Sequence, residues 1–117
     1  VVINNQCLLD NREKIIIGDN VSIAYNTKIY TTGHNIDSPY FTGQRKQVEI
    51  GDYCCIFVST LIMPGVQLGK GTVVLPGAVV TKSTEPYTVV GGNPAKKIRT
   101  RSKDLRYNLN HGYWFSS

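Results

Sequence analysis

The chain has 117 residues, with 11 glycines, three phenylalanines, one tryptophan and a formal net charge of +5. That length fits one domain, and fractions of 41% hydrophobic and 18% charged residues exclude a disordered chain, which needs low hydrophobicity and high charge. No apolar run reaches the roughly 18 residues that cross a bilayer, so no integral membrane segment is expected. The basic balance asks for an anionic partner without naming one.

A compact chain of this size buries only about 65% of the surface its unfolded form exposes, so partner subunits are expected. The chain begins Val1-Val2-Ile3 with no methionine and no signal segment, which suggests either a fragment or a processed start, with upstream structure missing. Cysteines stand at positions 7, 54 and 55. An odd number with two adjacent and no C-x-x-C spacing argues against a disulfide framework and a zinc site. The thiols then act as small apolar residues in a reducing, cytoplasmic compartment.

Residues 1–16 are weakly patterned. From Ile17 a step of six residues reads Ile17, Ile23, Ile29, and from Ile50 it reads Ile50, Ile56, Ile62, Leu68, Val74, Val80. Nine aliphatic residues in nine positions arise by chance with a probability on the order of 10⁻⁵. The fourth residue after each is small: Val21, Thr27, Gly33, Cys54, Thr60, Val66, Thr72, Ala78, Thr84. Between them lie turn pairs such as Asp19-Asn20, Pro64-Gly65, Lys70-Gly71 and Pro76-Gly77. Proline presets the first corner of a type II turn and glycine accepts φ > 0 at the second.

Neither a helix, with period 3.6, nor an amphipathic strand, with period 2, produces this spacing. A period of six with a turn in each unit predicts short strands joined by tight corners. Three units close one triangular coil, and stacked coils pair in parallel around a thin aliphatic column. The pattern predicts about four coils, near residues 1–16, 17–34, 50–67 and 68–85.

The period fails between His34 and Val48. Residues 35–47 form a long loop, and such loops are usually functional or mobile. Its Tyr40 and Phe41 predict packing onto something outside the loop. His34 stands at the mouth of the preceding coil, directly after Gly33, beside this insertion. Asp37 and Ser38 follow closely; they either shape the loop or orient the histidine and touch a substrate.

Past residue 95 the run Lys96-Lys97-Ile98-Arg99-Thr100-Arg101-Ser102-Lys103-Asp104-Leu105-Arg106 holds six of the thirteen Lys and Arg residues. It is either a solvated basic tail or a phosphate-binding segment. The aromatic ending, with Tyr107, Tyr113, Trp114 and Phe115, predicts a short helix and a strand or hook covering the open end of the prism. His111 reads as structural. The segment carries no nucleic-acid motif. The domain division is therefore 1–98 for the repeat with its insertion at 35–47, and 99–117 for the tail.

Ile17-Gly18-Asp19-Asn20-Val21, Pro64-Gly65-Val66, Pro76-Gly77-Ala78-Val79-Val80-Thr81-Lys82 and Gly91-Gly92-Asn93-Pro94-Ala95-Lys96 resemble the hexapeptide-repeat acyltransferases. The branch is that of the maltose and galactoside O-acetyltransferases and the capsule or exopolysaccharide O-acetyltransferases. The resemblance spans about residues 7–101. It implies an all-β fold, a left-handed parallel β-helix, assembled as a homotrimer with active sites between subunits. It also implies acetyl transfer from acetyl-CoA to a saccharide hydroxyl, as in polysaccharide biosynthesis, with no metal.

Carried over residue by residue, the resemblance makes His34 the general base. Acyl transfer to a hydroxyl needs that proton removed during attack, and an ordinary imidazole does this near neutral pH. The tetrahedral intermediate needs backbone donors, which the resemblance places around Phe57 and Val58. No Ser or Cys nucleophile with a paired base stands out, so direct transfer in a ternary complex is expected. Asn5 and Asp10 match loosely the residues that hold the sugar; they read equally well as turn residues at coil corners. For the CoA moiety the resemblance points to Pro76, Gly77 and Thr81, to Lys82, Lys96 and Arg99 near the phosphates, and to Pro94 against the adenine.

One departure stands out. Many relatives carry Trp-Ile-Gly where this chain has Cys55-Ile56-Phe57, with Phe57 expected to refill part of the space that Cys55 leaves. The competing readings are a non-catalytic or decayed β-helix scaffold and a metal-dependent hydratase on the same prism. The hydratase needs three histidines and this chain has two.

Overall fold

The computed structural model describes residues 1–109. Fifteen short strands and no helix occur among them. In chain order the first rung is β1 (Val2–Ile3), β2 (Leu8–Leu9) and β3 (Ile15–Ile17). The next holds β4 (Ser22–Ile23) and β5 (Lys28–Ile29), leaves the prism through β6 (Thr32–His34) and β7 (Gly43–Arg45), and returns in β8 (Val48–Ile50). Then follow β9 (Cys55–Ile56), β10 (Leu61–Ile62) and β11 (Gln67–Leu68), and after them β12 (Val73–Val74) and β13 (Val79–Val80). β14 (Thr88–Gly91) and β15 (Lys96–Thr100) complete the order.

These strands stack into three parallel faces. The first runs β1-β4-β9-β12-β14 and is closed by antiparallel β15; the second runs β2-β5-β10-β13; the third runs β3-β8-β11. The six-residue period is the cause. One inward aliphatic per face meets its equivalent one rung on: Ile23, Ile56, Val74 and Val90 pair in register on the first face, as do Leu9, Ile29, Ile62 and Val80 on the second. Ile17, Ile50 and Leu68 do so on the third.

The small residues of the hexads fill the corners. Thr27, Thr60 and Thr72 are sealed from solvent because each hydroxyl finds a partner inside. Thr27 and Thr60 donate to the Phe57 carbonyl at 3.3 and 2.9 Å, and Thr72 meets Thr84 at 2.8 Å. Cys54 is also buried, and burial pushes its thiol up to about 12. Gly33 departs from the expected pattern. It belongs to the β6–β7 hairpin, and Val48, fully buried, takes the corner place between Ile15 and Val66. Because Ile56 sits at 1% exposure in the column, Ile56→Ala is expected to lower unfolding stability by about 2–5 kcal/mol, read by denaturant titration.

From β15 to Leu109 the chain does not fold over the prism end next to β15, and no helix forms in that stretch. It runs back down the first face as a strap. Arg101 donates to the carbonyls of Tyr53 (2.7 Å) and Gly71 (3.3 Å) and to the Tyr107 hydroxyl (2.8 Å). The Leu109 amide donates to Asn20 Oδ1, and its carbonyl accepts from the Val1 amino group, both at 2.9 Å. The strap follows a corner column of left-handed residues, Asn20, Tyr53, Gly71 and Tyr87. Gly71 is required there, since a Cβ would lie 2.5 Å from the Tyr87 ring. β15 crosses residues 98 and 99, so the tail continues the first face without a break. His111, Tyr113, Trp114 and Phe115 lie outside the described residues. Among the described residues no helix is long and apolar enough to cross a membrane.

Candidate active site

The corner between the second and third faces carries His34. Residues 30–31 leave the prism there, and β6 pairs antiparallel with β7 in the register Thr32↔Arg45, Gly33↔Gln44, His34↔Gly43. The hairpin is anchored by the Lys46 amide on the Thr31 carbonyl at 2.8 Å. Its tip is braced by Asn35 N–H to Thr42 O (2.9 Å) and by Ser38 Oγ to Thr42 Oγ1 (2.8 Å). Phe41 adopts φ of 49°, a conformation costing an L residue roughly 1–2 kcal/mol. In it the ring lies flat on the His34 imidazole, centroids 4.2 Å apart and planes 8° from parallel. Tyr40, by contrast, is 89% exposed.

His34 is exposed and lines two clefts. One, of ≈ 670 Å³, lies on the side of the preceding rung and includes Arg12, Tyr30, Thr32, Gln44 and Arg45. The other, of ≈ 270 Å³, lies on the side of the following rung with Gln44, Lys46, Met63 and Pro64. Among the described residues the imidazole nitrogens make no hydrogen bond or ion pair. A reactant on either side can therefore reach the ring edge, while Phe41 fixes its plane.

Asp10 lies one rung below, and its carboxylate is engaged. It pairs with Arg12 through Nε at 2.8 Å and Nη2 at 3.2 Å, and accepts from the Thr31 amide (3.2 Å) and the Thr32 hydroxyl (2.9 Å). The Arg12 guanidinium, helped by Thr31 and Thr32, holds this carboxyl well below the usual carboxylate range, against the effect of burial. Asp10 thus ties down the strand that ends in His34, and its side chain is only 7% exposed. It does not offer an open carboxylate to a sugar. The sequence signal for this was present, a D-x-R pair one coil before a T-T-G-H run, but its meaning needed the rung-to-rung register.

Asn5 sits at a different corner, between the first and second faces, where its carbonyl accepts from the Asn26 amide at 3.3 Å. Asp37 lies in the loop with its amide on Asn35 Oδ1 at 3.0 Å. Its carboxylate makes no bond to His34 among the described residues. Ser38 takes the loop-shaping role through Thr42 and the Tyr40 amide.

The expected donor residues split by corner. Phe57, Val58, Pro76 and Gly77 share Asn5's corner, and the Gly77 amide donates to the Val58 carbonyl at 2.9 Å. Thr81 and Lys82 follow β13 on the corner that carries His34, Met63 and Pro64. Within one chain these two corner columns are separated by the width of the second face, about five residues of extended backbone, or roughly 16 Å. A single copy does not bring them together. The Phe57 amide is committed to the Val74 carbonyl at 3.0 Å, so it is not a free oxyanion donor; the Val58 amide has no such ladder partner among the described residues.

At the far end of the prism, Lys82 shares a cleft of ≈ 240 Å³ with Lys97. Lys96, Arg99 and Pro94 are exposed nearby on and before β15. The sequence does not single out Lys97, because nothing in a dibasic pair says which member turns toward the cleft. Arg101, in the same basic run, is occupied by the strap. Cys55 faces the strap as well. Its Sγ lies 3.6 Å from the Tyr107 hydroxyl, and Tyr107 packs edge-on to Tyr53 at 5.3 Å. The ring beside Cys55 is therefore Tyr107, not Phe57, whose side chain stays 44% exposed. Among the described residues no group of three or more His, Cys, Asp or Glu is placed to hold a metal ion.

No family model matches the chain. It is 33% identical to a chloramphenicol acetyltransferase of Klebsiella aerogenes over 121 residues, covering 86% of this chain and 58% of that protein. Among solved structures it is similar to a hexapeptide-repeat-containing acetyltransferase of Vibrio cholerae complexed with acetyl coenzyme A. There the TM-score is 0.81 at 32% identity, over 86% of this chain and 57% of the other. It is also similar to a galactoside acetyltransferase in complex with coenzyme A, with a TM-score of 0.78 at 29% identity over 91% and 55% of the two chains. The repeat, the His-bearing hairpin and these likenesses together define the class of protein the chain is similar to, the hexapeptide-repeat acetyltransferases. It spans about half the length of the curated relatives it matches.

Proposed function

We propose that the chain is a left-handed β-helix O-acetyltransferase that moves an acetyl group from acetyl-CoA to a saccharide hydroxyl, with His34 as general base. The observation that carries this reading is the position of His34 between two clefts, ring plane fixed by Phe41 and both ring nitrogens without a hydrogen-bond partner among the described residues. A hydroxyl in the larger cleft delivers its proton to the imidazole as its oxygen attacks the thioester carbonyl held on the other side. The imidazolium then lies over the face of Phe41, a favourable place for a cation. The C–S bond breaks as the tetrahedral intermediate collapses, and the proton passes to the leaving thiolate. Both substrates are present at once, because among the described residues no Ser or Cys lines either cleft with His34 and the Thr32 hydroxyl there is engaged by Asp10.

A homotrimer completes the site. The residues expected to touch the donor lie on two corners of one prism, and a groove between two prisms sets one corner against the other. The Val58 amide is the remaining donor for the oxyanion at that groove. The CoA phosphates fall at the prism end, where Lys82, Lys97, Lys96 and Arg99 present cations. The likeness to a galactoside acetyltransferase bound to coenzyme A favours a saccharide acceptor, and such chemistry belongs to the cytoplasm, where acetyl-CoA is made.

Calorimetric titration of CoA onto the full chain tests the donor half. The double variant Lys96→Ala/Arg99→Ala is expected to weaken binding about tenfold or more, the loss of charge-assisted hydrogen bonds to phosphate. Unchanged affinity would remove the basic segment from the donor site. Acetyl transfer to a panel of glycosides, followed by thiol release, tests the activity itself.

A further inference from the structure

We infer that the acceptor carries an anionic oxygen group, a carboxylate or a phosphate, held by Arg12 and Arg45 in the ≈ 670 Å³ cleft beside His34. This rests on the reading of that cleft as the acceptor site. Arg45 is the register partner of Thr32, and Thr32 bonds the same Asp10 oxygen that Arg12 Nη2 reaches. Both arginines line this one cleft, together with Thr32 and His34.

Among the described residues the cleft lining holds no acidic side chain. The acid next to it is Asp10, whose oxygens are taken by Arg12, Thr31 and Thr32. Glu13 lines the neighbouring groove and folds onto the Lys14 amide at 3.0 Å. Arg45 makes no ion pair among the described residues. Arg12 uses only one edge of its fork on Asp10, with 63% of its side chain exposed, so its remaining N–H groups stay available.

Pairing with Asp10 also fixes the Arg12 guanidinium before any ligand arrives. A planar fork held in place loses little freedom on binding a carboxylate or phosphate. A neutral sugar would offer the guanidinium groups hydroxyl acceptors but no counter-charge, and charge-assisted hydrogen bonds are the stronger ones. The remaining lining, Tyr30, Thr32 and Gln44, supplies the hydroxyl and amide groups that sugar hydroxyls use, and the volume lies within the range of small-ligand sites.

The test is a binding titration by NMR on the intact chain with methyl glucoside, methyl glucuronide and glucose 6-phosphate. At least one charged sugar is expected to bind about tenfold or more tightly than the neutral glycoside, and which one identifies the anionic group. The preference should shrink between about 50 and about 300 mM salt and collapse toward unity in Arg45→Gln, whose site lies on an exposed hairpin strand. Equal affinity for charged and neutral sugars, absence of binding to all three, or a preference that survives Arg45→Gln would overturn it. Acetyl transfer is measured alongside. Turnover of neutral glycosides without a binding preference sinks this inference and leaves the acetyltransferase reading intact. A clear anion preference without acetyl transfer does the reverse.

Discussion

His34→Ala is expected to lower kcat for acetyl transfer by about 10²–10⁴-fold, the usual contribution of a positioned general base. The side chain is exposed and stands on a hairpin outside the aliphatic column, so the fold should survive and CoA should still bind. The pH profile separates a base from a bystander. A general base works only in its unprotonated form, so the wild-type profile should have an acid limb. In the variant the remaining rate should lack that limb. His34→Gln, which keeps polarity but cannot accept and release the proton, should behave like alanine. Turnover that is unchanged in both variants would favour a non-catalytic scaffold built on the same prism.

Phe41 makes that experiment more informative. Its ring sits 4.2 Å from His34, so Phe41→Ala should leave the base in place but free its plane. A smaller loss than His34→Ala, with the acid limb retained, separates orientation from proton transfer.

The repeat was legible because every sixth residue points inward and must be aliphatic; Ile23, Ile56 and Val74 could be aligned without any structure. Corner chemistry was legible for the same reason, through Pro64-Gly65 and Pro76-Gly77. Gly33 misled because its smallness fits a corner, yet the chain has already left the prism there, and Val48 closes the gap on the far side of the insertion. Aperiodic segments gave no such signal. The strap from Arg101 to Leu109 lies along the first face because Tyr53, Gly71 and Asn20 present a carbonyl, a carbonyl and a side-chain oxygen at successive rungs. Those groups fall in line only after folding. The same holds for Cys55, where the ring that covers the thiol comes from 52 residues further along the chain. His34 could be singled out from the sequence by its place before the insertion. The stack on Phe41 and the two clefts could not, since they depend on how β6 pairs with β7.

Asp10 offers the sharpest test of whether the first rung builds the site or only supports it. Asp10→Asn keeps the shape but lets the side chain accept at one oxygen where the carboxylate used two. Arg12 loses its ion pair, and the Thr31 amide and Thr32 hydroxyl, which share one Asp10 oxygen, are left on a neutral acceptor. β6 then has a weaker lower anchor, and a displacement of about 1 Å at a reacting group costs on the order of 10²-fold in rate. The expected result is a drop of that size in kcat with the acid limb of the pH profile unmoved, because His34 still does the proton transfer. A rise in KM alone would instead mark Asp10 as a direct acceptor ligand. Stability gives an independent reading. The folded carboxyl titrates below its ordinary range, so its contribution is fully present above the unfolded value near 3.9 and is lost as pH falls through the carboxylate range toward the folded one. Wild-type Tm should therefore decline more steeply than that of Asp10→Asn below about pH 4. Parallel declines would show that the Arg12–Asp10–Thr32 cluster does not hold the histidine strand in place.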